Sequence, residues 1–248
     1  QDVDVKAIAE VNFRSDEQLR LVEEFSGFYR DFVDSCGNGL KERFHLNQEF
    51  FCFSDAFYLQ SMIRRFRPGR IIEIGSGFSS ALMLDTCEKY STETELVFVE
   101  PYSERLASVL KANDYDRITL IEKPVQHAGI EISKILKKND FLFIDSSHVS
   151  KYRSDLNYLL FDVIPRLRSS VIVHFHDIFF PFEYPLDWLS EGRAWNEAYV
   201  VRAFLMYNLS WQVLLFSDLL GRKNRSWVEE RFPRCLENTG GSLWIQRI

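Results

Sequence analysis

Two short clusters of acids and histidines are the residues best suited to chemistry. Asp145-Ser-Ser-His148 follows the apolar run 141–144, and His176-Asp177 follows the apolar run 171–175. Histidine has an ordinary pKa near neutrality, so it can remove a proton from a hydroxyl group at physiological pH. A carboxylate beside the ring can orient it. The pattern predicts a site of proton transfer, with His148 as the base.

A glycine turn earlier in the chain predicts a ligand site. The stretch RIIEIGSGFSSALML, residues 70–84, has the pattern of a buried strand, a tight turn and the start of a helix. Gly75 and Gly77 allow the backbone to approach a ligand closely, and the amides at the helix start would face that ligand. Glu73, just before the turn, would repel a pyrophosphate and attract an ammonium or a sulfonium.

A second acid narrows the kind of ligand. Glu100 stands at the end of the next apolar run, where a carboxylate accepts hydrogen bonds from both hydroxyls of a ribose. Ser80 occupies the place of the third glycine in a dinucleotide-binding turn. The expected ligand is therefore cationic at one end and carries a ribose at the other.

The scaffold that positions these residues is predicted from alternating patterns. Apolar runs at 71–74, 96–99, 118–121, 141–144 and 171–175 are separated by helical patterns, which indicates a parallel sheet covered on both faces. Such sheets bind ligands beyond the carboxyl ends of their strands, where these acids stand. Two closing strands, 211–216 and 242–248, are expected to be joined by a long polar excursion.

The first residues of the chain have a different pattern. Apolar side chains recur at helical spacing up to about residue 66, with a helix expected to start near Asp55 behind Ser54 as its N-cap. Pro68-Gly69 then interrupts the pattern. The prediction is an N-terminal helical extension, residues 1–66, packed on a domain that spans residues 67–248.

Composition limits the function classes. The chain has 248 residues, 46% of them hydrophobic, and a net charge of −6. A general nucleic-acid binder needs a basic face, so this charge argues against nucleic acid as a partner. No apolar run reaches the roughly 18 residues that span a bilayer. The four cysteines form no CxxC pair and fit free thiols in a reducing compartment. We therefore expect a cytoplasmic protein without a membrane span.

The motifs together resemble the class I S-adenosylmethionine-dependent methyltransferases, and most closely the small-molecule and sugar O-methyltransferase-like branch called methyltransferase family 24. They are Glu73–Ser80, Val99-Glu100-Pro101, Phe143–His148 and Val171–Asp177, and the resemblance covers about residues 50–216. It implies a Rossmann-like α/β fold, with a doubly wound seven-stranded sheet whose last strand is antiparallel. It also implies S-adenosylmethionine as the cofactor.

The resemblance implies a role for each motif residue. Glu73 would lie near the methionine ammonium, Glu122 near the adenine, and Asp145 at the methionine end or on a metal. The whole set of cofactor-binding residues implied in this way is Glu73, Gly75, Ser76, Gly77, Ser79, Glu100, Pro101, Glu122 and Asp145. In sugar-modifying relatives, a histidine three residues after the metal-binding aspartate is the general base, which corresponds to His148.

A divalent metal is a further implication. Related metal-dependent O-methyltransferases bind it through an aspartate after the fourth strand and an acidic pair after the fifth. Asp145 and Asp177 match that pattern, while His176 stands where a carboxylate is usual. Mg²⁺ prefers oxygen ligands, so a site made of Asp145, His176 and Asp177 suits Mn, Fe or Zn better than Mg.

Residues around these motifs have expected places as well. The aromatic segment 179–185 forms either a lid over an acceptor or a loop packed on the core, and Asn196, Glu197 and Tyr199 are expected to reach the acceptor pocket. Asp155 is expected to face solvent rather than to orient His148. His174 lies inside a strand pattern and is expected in the core.

The predicted function is methyl transfer from S-adenosylmethionine to a hydroxyl on a sugar, glycan precursor or secondary metabolite. The partner would be a small-molecule or carbohydrate acceptor, and a homo-oligomer is left open. A nicotinamide-dependent oxidoreductase is one alternative, disfavoured by Glu73 and by the missing third glycine. A catalytically inactive scaffold protein that binds S-adenosylmethionine is the other.

Overall fold

A computed structural model describes residues 8–36, 42–90 and 93–248. Residues 1–7 and 37–41 of the predicted N-terminal extension lie outside this part of the chain. Within it, no helix is both long and apolar enough to cross a membrane.

A seven-stranded sheet forms the centre of the described residues, in the order β3-β2-β1-β4-β5-β7-β6. The first five strands run parallel, and β7 lies antiparallel between β5 and β6. This arrangement confirms the predicted doubly wound sheet with an antiparallel last strand. The strands are β1 (Arg70–Ile74), β2 (Glu95–Val99), β3 (Ile118–Ile121), β4 (Phe141–Ile144), β5 (Ile172–Phe175), β6 (Trp211–Phe216) and β7 (Leu243–Arg247).

The strand order explains where a crevice can open. The chain leaves β1 toward β2 and β3 on one side, and then returns to place β4 and β5 on the other side of β1. The loops after β1 and β4 therefore diverge at the carboxyl edge of the sheet, which is the switch point of doubly wound folds. Every residue of β4 and β5 is buried, because helices cover both faces of the sheet.

The helices that surround this sheet are numbered in chain order. They are α1 (Ser15–Glu23), α2 (Ser26–Ser35), α3 (Phe53–Phe66), α4 (Phe78–Tyr90), α5 (Glu104–Val109), α6 (Ile132–Ile135), α7 (Asp155–Tyr158), α8 (Leu186–Ser190), α9 (Glu197–Leu205), α10 (Ser217–Lys223) and α11 (Arg225–Arg231). A π-helical turn, Leu159–Val163, continues α7. The predicted alternation of strands and helices is present, with α5 and α6 shorter than their sequence patterns suggested.

One local prediction is wrong. The helix expected to start near Asp55 begins at Phe53 with Cys52 as its N-cap. The buried Ser54 hydroxyl donates to the Asn238 carbonyl and does not cap the helix.

The polar excursion between the closing strands contains α10 and α11. Val228 and Leu220 from these two helices join the hydrophobic core on the side of α3, so their charged residues belong to amphipathic helices.

Candidate active site

The turn after β1 is fixed by contact with the loop after β4. Gly75 has φ +83°, and a Cβ atom placed on it would lie 1.7 Å from the carbonyl oxygen of Asp145. Gly77 is less constrained, since a Cβ atom there would lie 2.9 Å from Cδ of Arg105, a flexible side chain that can shift. Gly75 is therefore required by the protein itself, in addition to any ligand.

Glu73 lies beneath this turn and is fully buried. Its two carboxylate oxygens accept hydrogen bonds from the hydroxyls of Ser79 and Ser80 at the start of α4. Burial raises the pKa of Glu73 to about 8, although these hydroxyls oppose the shift. Glu73 lines neither of the two cavities beside this turn, and its place near a methionine ammonium stays a prediction. Its visible role is to fix the first turn of α4.

Glu100 is placed on the cavity wall, as the sequence predicted. Its carboxylate accepts the backbone N–H groups of Ser76 at 2.9 Å and Tyr102 at 2.7 Å, so it links the turn after β1 to the turn after β2. Glu100 and Ser76 both line a cavity of about 720 Å³. Pro101 lines an adjoining cavity of about 450 Å³.

Glu122 is not at the site, contrary to the prediction. It is exposed and accepts a hydrogen bond from the Ser103 hydroxyl. The chain turns at Pro124, so that Val125 and Gln126 form the wall of the smaller cavity instead. Glu122 therefore lies in the same loop as this cavity wall, a few residues before it.

The larger cavity is lined both by the glycine turn and by the residues that follow β4 and β5. Gly75, Ser76, Gly77 and Ser79 line it together with Asp145 and Asp177. Aromatic and polar side chains from several loops also line it, namely Phe51, Phe179, Trp188, Glu191, Arg193, Trp195 and Asn238. The two sites predicted from sequence, the turn and the acid–histidine clusters, thus share a single cavity.

Asp145, His148, His176 and Asp177 meet in that cavity and form what we call the acid–histidine centre. The Nε2 atom of His148 lies 3.4 Å from Oδ1 of Asp145 and 3.7 Å from Oδ2 of Asp177. His148 and Asp177 have φ values of +57° and +58°, a conformation that costs energy for residues other than glycine. Such strain is characteristic of functional sites.

His176 approaches the same two carboxylates from the other side. Its Nδ1 atom lies 3.5 Å from both Asp145 and Asp177, and its Nε2 atom lies 3.6 Å from Asp55. Neither ring nitrogen has a hydrogen-bond partner within the described residues, although the side chain is buried. Asp55 is held by the Ser242 hydroxyl and the Gly241 N–H. The contact of Asp55 with His176 was not predicted from the sequence.

Three groups of the centre could together hold a cation. One ligand atom from each of Asp145, His148 and Asp177 lies within 4.8 Å of the others. The set predicted from sequence contained His176 in place of His148, so the structure differs at that ligand. The difference arises because the loop after β4 brings the His148 ring back over Asp145. Two carboxylates and an imidazole fit a divalent transition metal, while Mg²⁺ prefers oxygen ligands alone.

The charged groups of the acid–histidine centre shift the pKa values of one another. Burial disfavours a charged His148 ring, but Asp145 and Glu197 outweigh burial and raise the pKa of His148 to about 10. Burial likewise opposes ionisation of Asp145, but His176 and His148 hold the pKa of Asp145 well below its usual range. Burial is also outweighed at His176, whose pKa the charges of Asp177 and Asp145 raise well above its usual value.

Glu197 is the functional candidate whose role the sequence did not show. Its Oε2 atom lies 2.7 Å from Nδ1 of His148, and its side chain is fully buried. Glu197 had been expected to reach the acceptor pocket, but it does not line the cavity. The spacing of 49 residues between the two partners explains why no local pattern could reveal the pair.

Other expected residues fall in several places. Asp155 does not simply face solvent, because it accepts hydrogen bonds from the backbone and the hydroxyl of Ser147 and so holds the loop after β4. Asn196 and Tyr199 do not line the cavity. His174 is buried and stacks on Phe143, as expected of a core residue.

The aromatic segment after β5 is divided between the hydrophobic core and the cavity wall. Phe180, Phe182 and Tyr184 are buried in the core, whereas Phe179 lines the cavity. Trp188 of α8 packs edge-on against Phe179 at 5.3 Å between ring centres. The core-packed rings therefore support a cavity wall formed by Phe179 and Trp188.

Comparison with known proteins agrees with this geometry. Residues 72–178 match the model of the Methyltransf_24 family, which is described as a methyltransferase domain. The matched segment contains the glycine turn, Glu100 and the whole acid–histidine centre. These 107 residues of the chain are therefore similar to a methyltransferase domain. The resemblance to methyltransferase family 24 is thereby confirmed.

One curated relative is similar to this chain. An uncharacterized protein of Archaeoglobus fulgidus is 31% identical over 133 residues, which are 52% of this chain and 59% of that protein. This chain therefore spans less than two thirds of the length of that curated relative.

The similar solved structures have low sequence identity. The methyltransferase PaMTH1 of Podospora anserina, bound to SAH, is 19% identical, with 94% of this chain and 88% of that chain covered and a TM-score of 0.49. An O-methyltransferase of Bacillus cereus in complex with SAH is 12% identical, with 100% and 94% covered and a TM-score of 0.48. With similarity at this level, the function of this chain has to be argued from its site.

Proposed function

We propose that this protein transfers the methyl group of S-adenosylmethionine to a hydroxyl oxygen of a small, polar acceptor. One observation carries the proposal: the glycine turn with Glu100 and the acid–histidine centre line the same cavity, and the Asp145 carbonyl packs directly against Gly75. A donor lying across residues 75–79, with its ribose on Glu100, would bring its positive sulfonium to the carboxylate of Asp145.

The chemistry required is an in-line displacement with loss of a proton. The acceptor oxygen bonds to the methyl carbon while the carbon–sulfur bond breaks, and the hydroxyl proton passes to Nε2 of His148. The products are a methyl ether, S-adenosylhomocysteine and a protonated imidazole. Alignment of the reacting atoms in a closed cavity supplies several kcal/mol toward the barrier, and a positioned base adds roughly 10²–10⁴-fold.

The positive charge of the bound donor affects whether the His148 ring is neutral and can act as the base. The carboxylates around His148 raise its pKa to about 10, and a protonated ring cannot accept a proton. A sulfonium next to Asp145 would offset that negative field and favour the neutral ring. In this proposal the base becomes competent when the donor is bound.

The acceptor end of the cavity supports a sugar or another hydroxyl-rich ring. The indole of Trp188 packs at 5.2 Å from that of Trp195, and the Arg193 guanidinium lies over both rings. Glu191 and Asn238 add polar groups to this end of the cavity. Aromatic surfaces with a few polar groups between them are typical of sites that orient small ligands.

A metal-bound centre is the second arrangement, favoured by the spacing of Asp145, His148 and Asp177. These residues would hold the ion, and His148 would then be a ligand rather than the base. A bound divalent cation would lower the pKa of the acceptor hydroxyl and orient it. Calorimetric titration with Mn²⁺ separates the two arrangements: binding to the wild type that is lost in His148→Ala supports the metal-bound centre.

Binding and turnover test the proposal in two steps. Calorimetry with S-adenosylhomocysteine should give saturable binding, and protection from thermal unfolding by NAD instead would favour the oxidoreductase alternative. Transfer of a labelled methyl group is then measured over sugars, nucleotide sugars and phenols, with His148→Gln as the control. Tight cofactor binding without transfer to any acceptor would favour the scaffold alternative.

A further inference from the structure

Glu197 holds His148 from the side opposite the cavity. Its Oε2 atom lies 2.7 Å from Nδ1 of His148, while Nε2 of the same ring faces Asp145 and Asp177 in the cavity. A ring nitrogen hydrogen-bonded to a carboxylate carries a proton, because a carboxylate can only accept. The neutral ring therefore has its lone pair on Nε2.

Backbone hydrogen bonds also join the start of α9 to His148. The N–H groups of Asn196 and Glu197 both donate to the carbonyl oxygen of His148, at 3.1 and 3.2 Å. The hydroxyl of Tyr184 accepts the next N–H group, that of Ala198. Trp195 packs on the His148 ring, with 4.2 Å between ring centres. The start of α9 and the loop after β4 are thus fixed to each other by both main chain and side chain.

The environment of Glu197 argues against a purely structural residue. The side chain is fully buried, and its second oxygen, Oε1, has no hydrogen-bond partner within the described residues. Burying a carboxylate is costly unless it is paired, and its visible side-chain partner is the His148 ring. An apolar residue would fill the same space at less cost.

We infer that Glu197 is the positioning residue of His148: it accepts the Nδ1 proton, fixes the ring orientation and leaves Nε2 to take the proton of the acceptor hydroxyl. The inference rests on the proposed methyl transfer. When the hydroxyl proton moves to Nε2, the ring becomes a cation with an N–H group on each side. The carboxylate of Glu197 stabilises that cation as the oxygen–methyl bond forms.

The first test compares Glu197→Gln with Glu183→Gln. Glu183 is an exposed acid in the loop after β5, where it accepts a hydrogen bond from the Tyr199 hydroxyl outside the cavity. With an acceptor identified, we expect Glu197→Gln to lower kcat about 100-fold while KM and the affinity for S-adenosylhomocysteine change less than twofold. Glu183→Gln should behave as the wild type. If Glu197→Gln instead raised KM by a factor of that size and left kcat unchanged, the assignment would be overturned.

A double-variant cycle asks whether Glu197 acts through His148. In the His148→Ala background, Glu197→Gln should cause no further loss of kcat, because residues that act as one unit are not additive. If the fold-losses of kcat in the two single variants multiplied in the double variant, Glu197 would act in some other way.

A spectroscopic measurement tests the pair without any turnover. Proton NMR of the wild type should show a low-field Nδ1–H resonance that is absent from His148→Gln and moves upfield in Glu197→Gln. This readout needs no acceptor, so it separates failure of the inference from failure of the proposed function. If Glu197→Gln does not fold, the wild type and His148→Gln still decide, since the absence of a low-field resonance specific to His148 contradicts the hydrogen bond.

Discussion

The carbonyl oxygen of Asp145 lies 1.7 Å from the point where a Cβ atom on Gly75 would stand. This contact joins the loop after β1 to the loop after β4, and therefore joins the predicted cofactor turn to the acid–histidine centre. Sequence reasoning explained Gly75 by the space that a ligand needs. In the structure, the chain itself already occupies the space beside Gly75.

Replacing Gly75 by alanine should therefore destabilise the protein even without ligand. The left-handed φ and the clash with a backbone carbonyl together should cost about 3 kcal/mol. Gly129→Ala is the matched control, since Gly129 has φ +72° but nothing within 4 Å of a new Cβ atom, and should lose about 1 kcal/mol. Chemical denaturation measures both. Equal losses would show that the contact with Asp145 is unimportant.

The buried Glu73 should make stability depend on pH. Its pKa is about 8 in the folded protein, against about 4.5 for a glutamate in an unfolded chain, so the unfolded chain releases this proton at lower pH than the folded protein does. Stability due to Glu73 is then full below about pH 4.5 and is lost as the pH rises to 8, by roughly 4 kcal/mol. Glu73→Gln should remove this loss. Parallel curves of unfolding free energy against pH for the two proteins would contradict the prediction.

Substitution of Glu100 and of Glu122, both predicted as cofactor ligands, should have different effects on cofactor affinity. Glu100→Gln should weaken binding of S-adenosylhomocysteine about 30-fold, as expected when hydrogen bonds to a charged group worth about 2 kcal/mol are lost. Glu122→Gln should leave the affinity unchanged, because Glu122 is exposed and lies outside both cavities. Calorimetry on the two variants measures both affinities. Equal losses of affinity for S-adenosylhomocysteine would show that Glu122 also contributes to binding.

A buried ion pair far from the cavity should contribute strongly to stability. Arg43 bonds Asp114 through two nitrogens and Asp85 through a third, and both Arg43 and Asp114 are buried. Arg43→Met should cost about 3–5 kcal/mol because it leaves a buried carboxylate unpaired. Arg117→Met, which removes a surface pair with Glu88, should cost less than about 1 kcal/mol. A thermal shift of similar size in both variants would refute the difference.

Much of this molecule was determined by local sequence patterns. The apolar runs of β1 to β5, the glycine turn and the acids at strand ends follow from short-range rules, since burial and backbone freedom impose a residue type at each position. The methyltransferase domain and the places of Gly75, Glu100, Asp145, His148 and Asp177 were predictable for that reason. The acids at strand ends were expected to converge because parallel strands share one carboxyl edge.

Only the tertiary structure decided which side chains pair. Glu197 lies 49 residues from His148, and Asp55 comes before the sheet although it faces His176, so no periodic pattern links these partners. The tertiary structure also decided which acids face the cavity, because a shift of a few residues in a loop separates Glu122 from Val125. Orientation and pairing depend on contacts between distant segments, and those contacts exist only after the chain has folded.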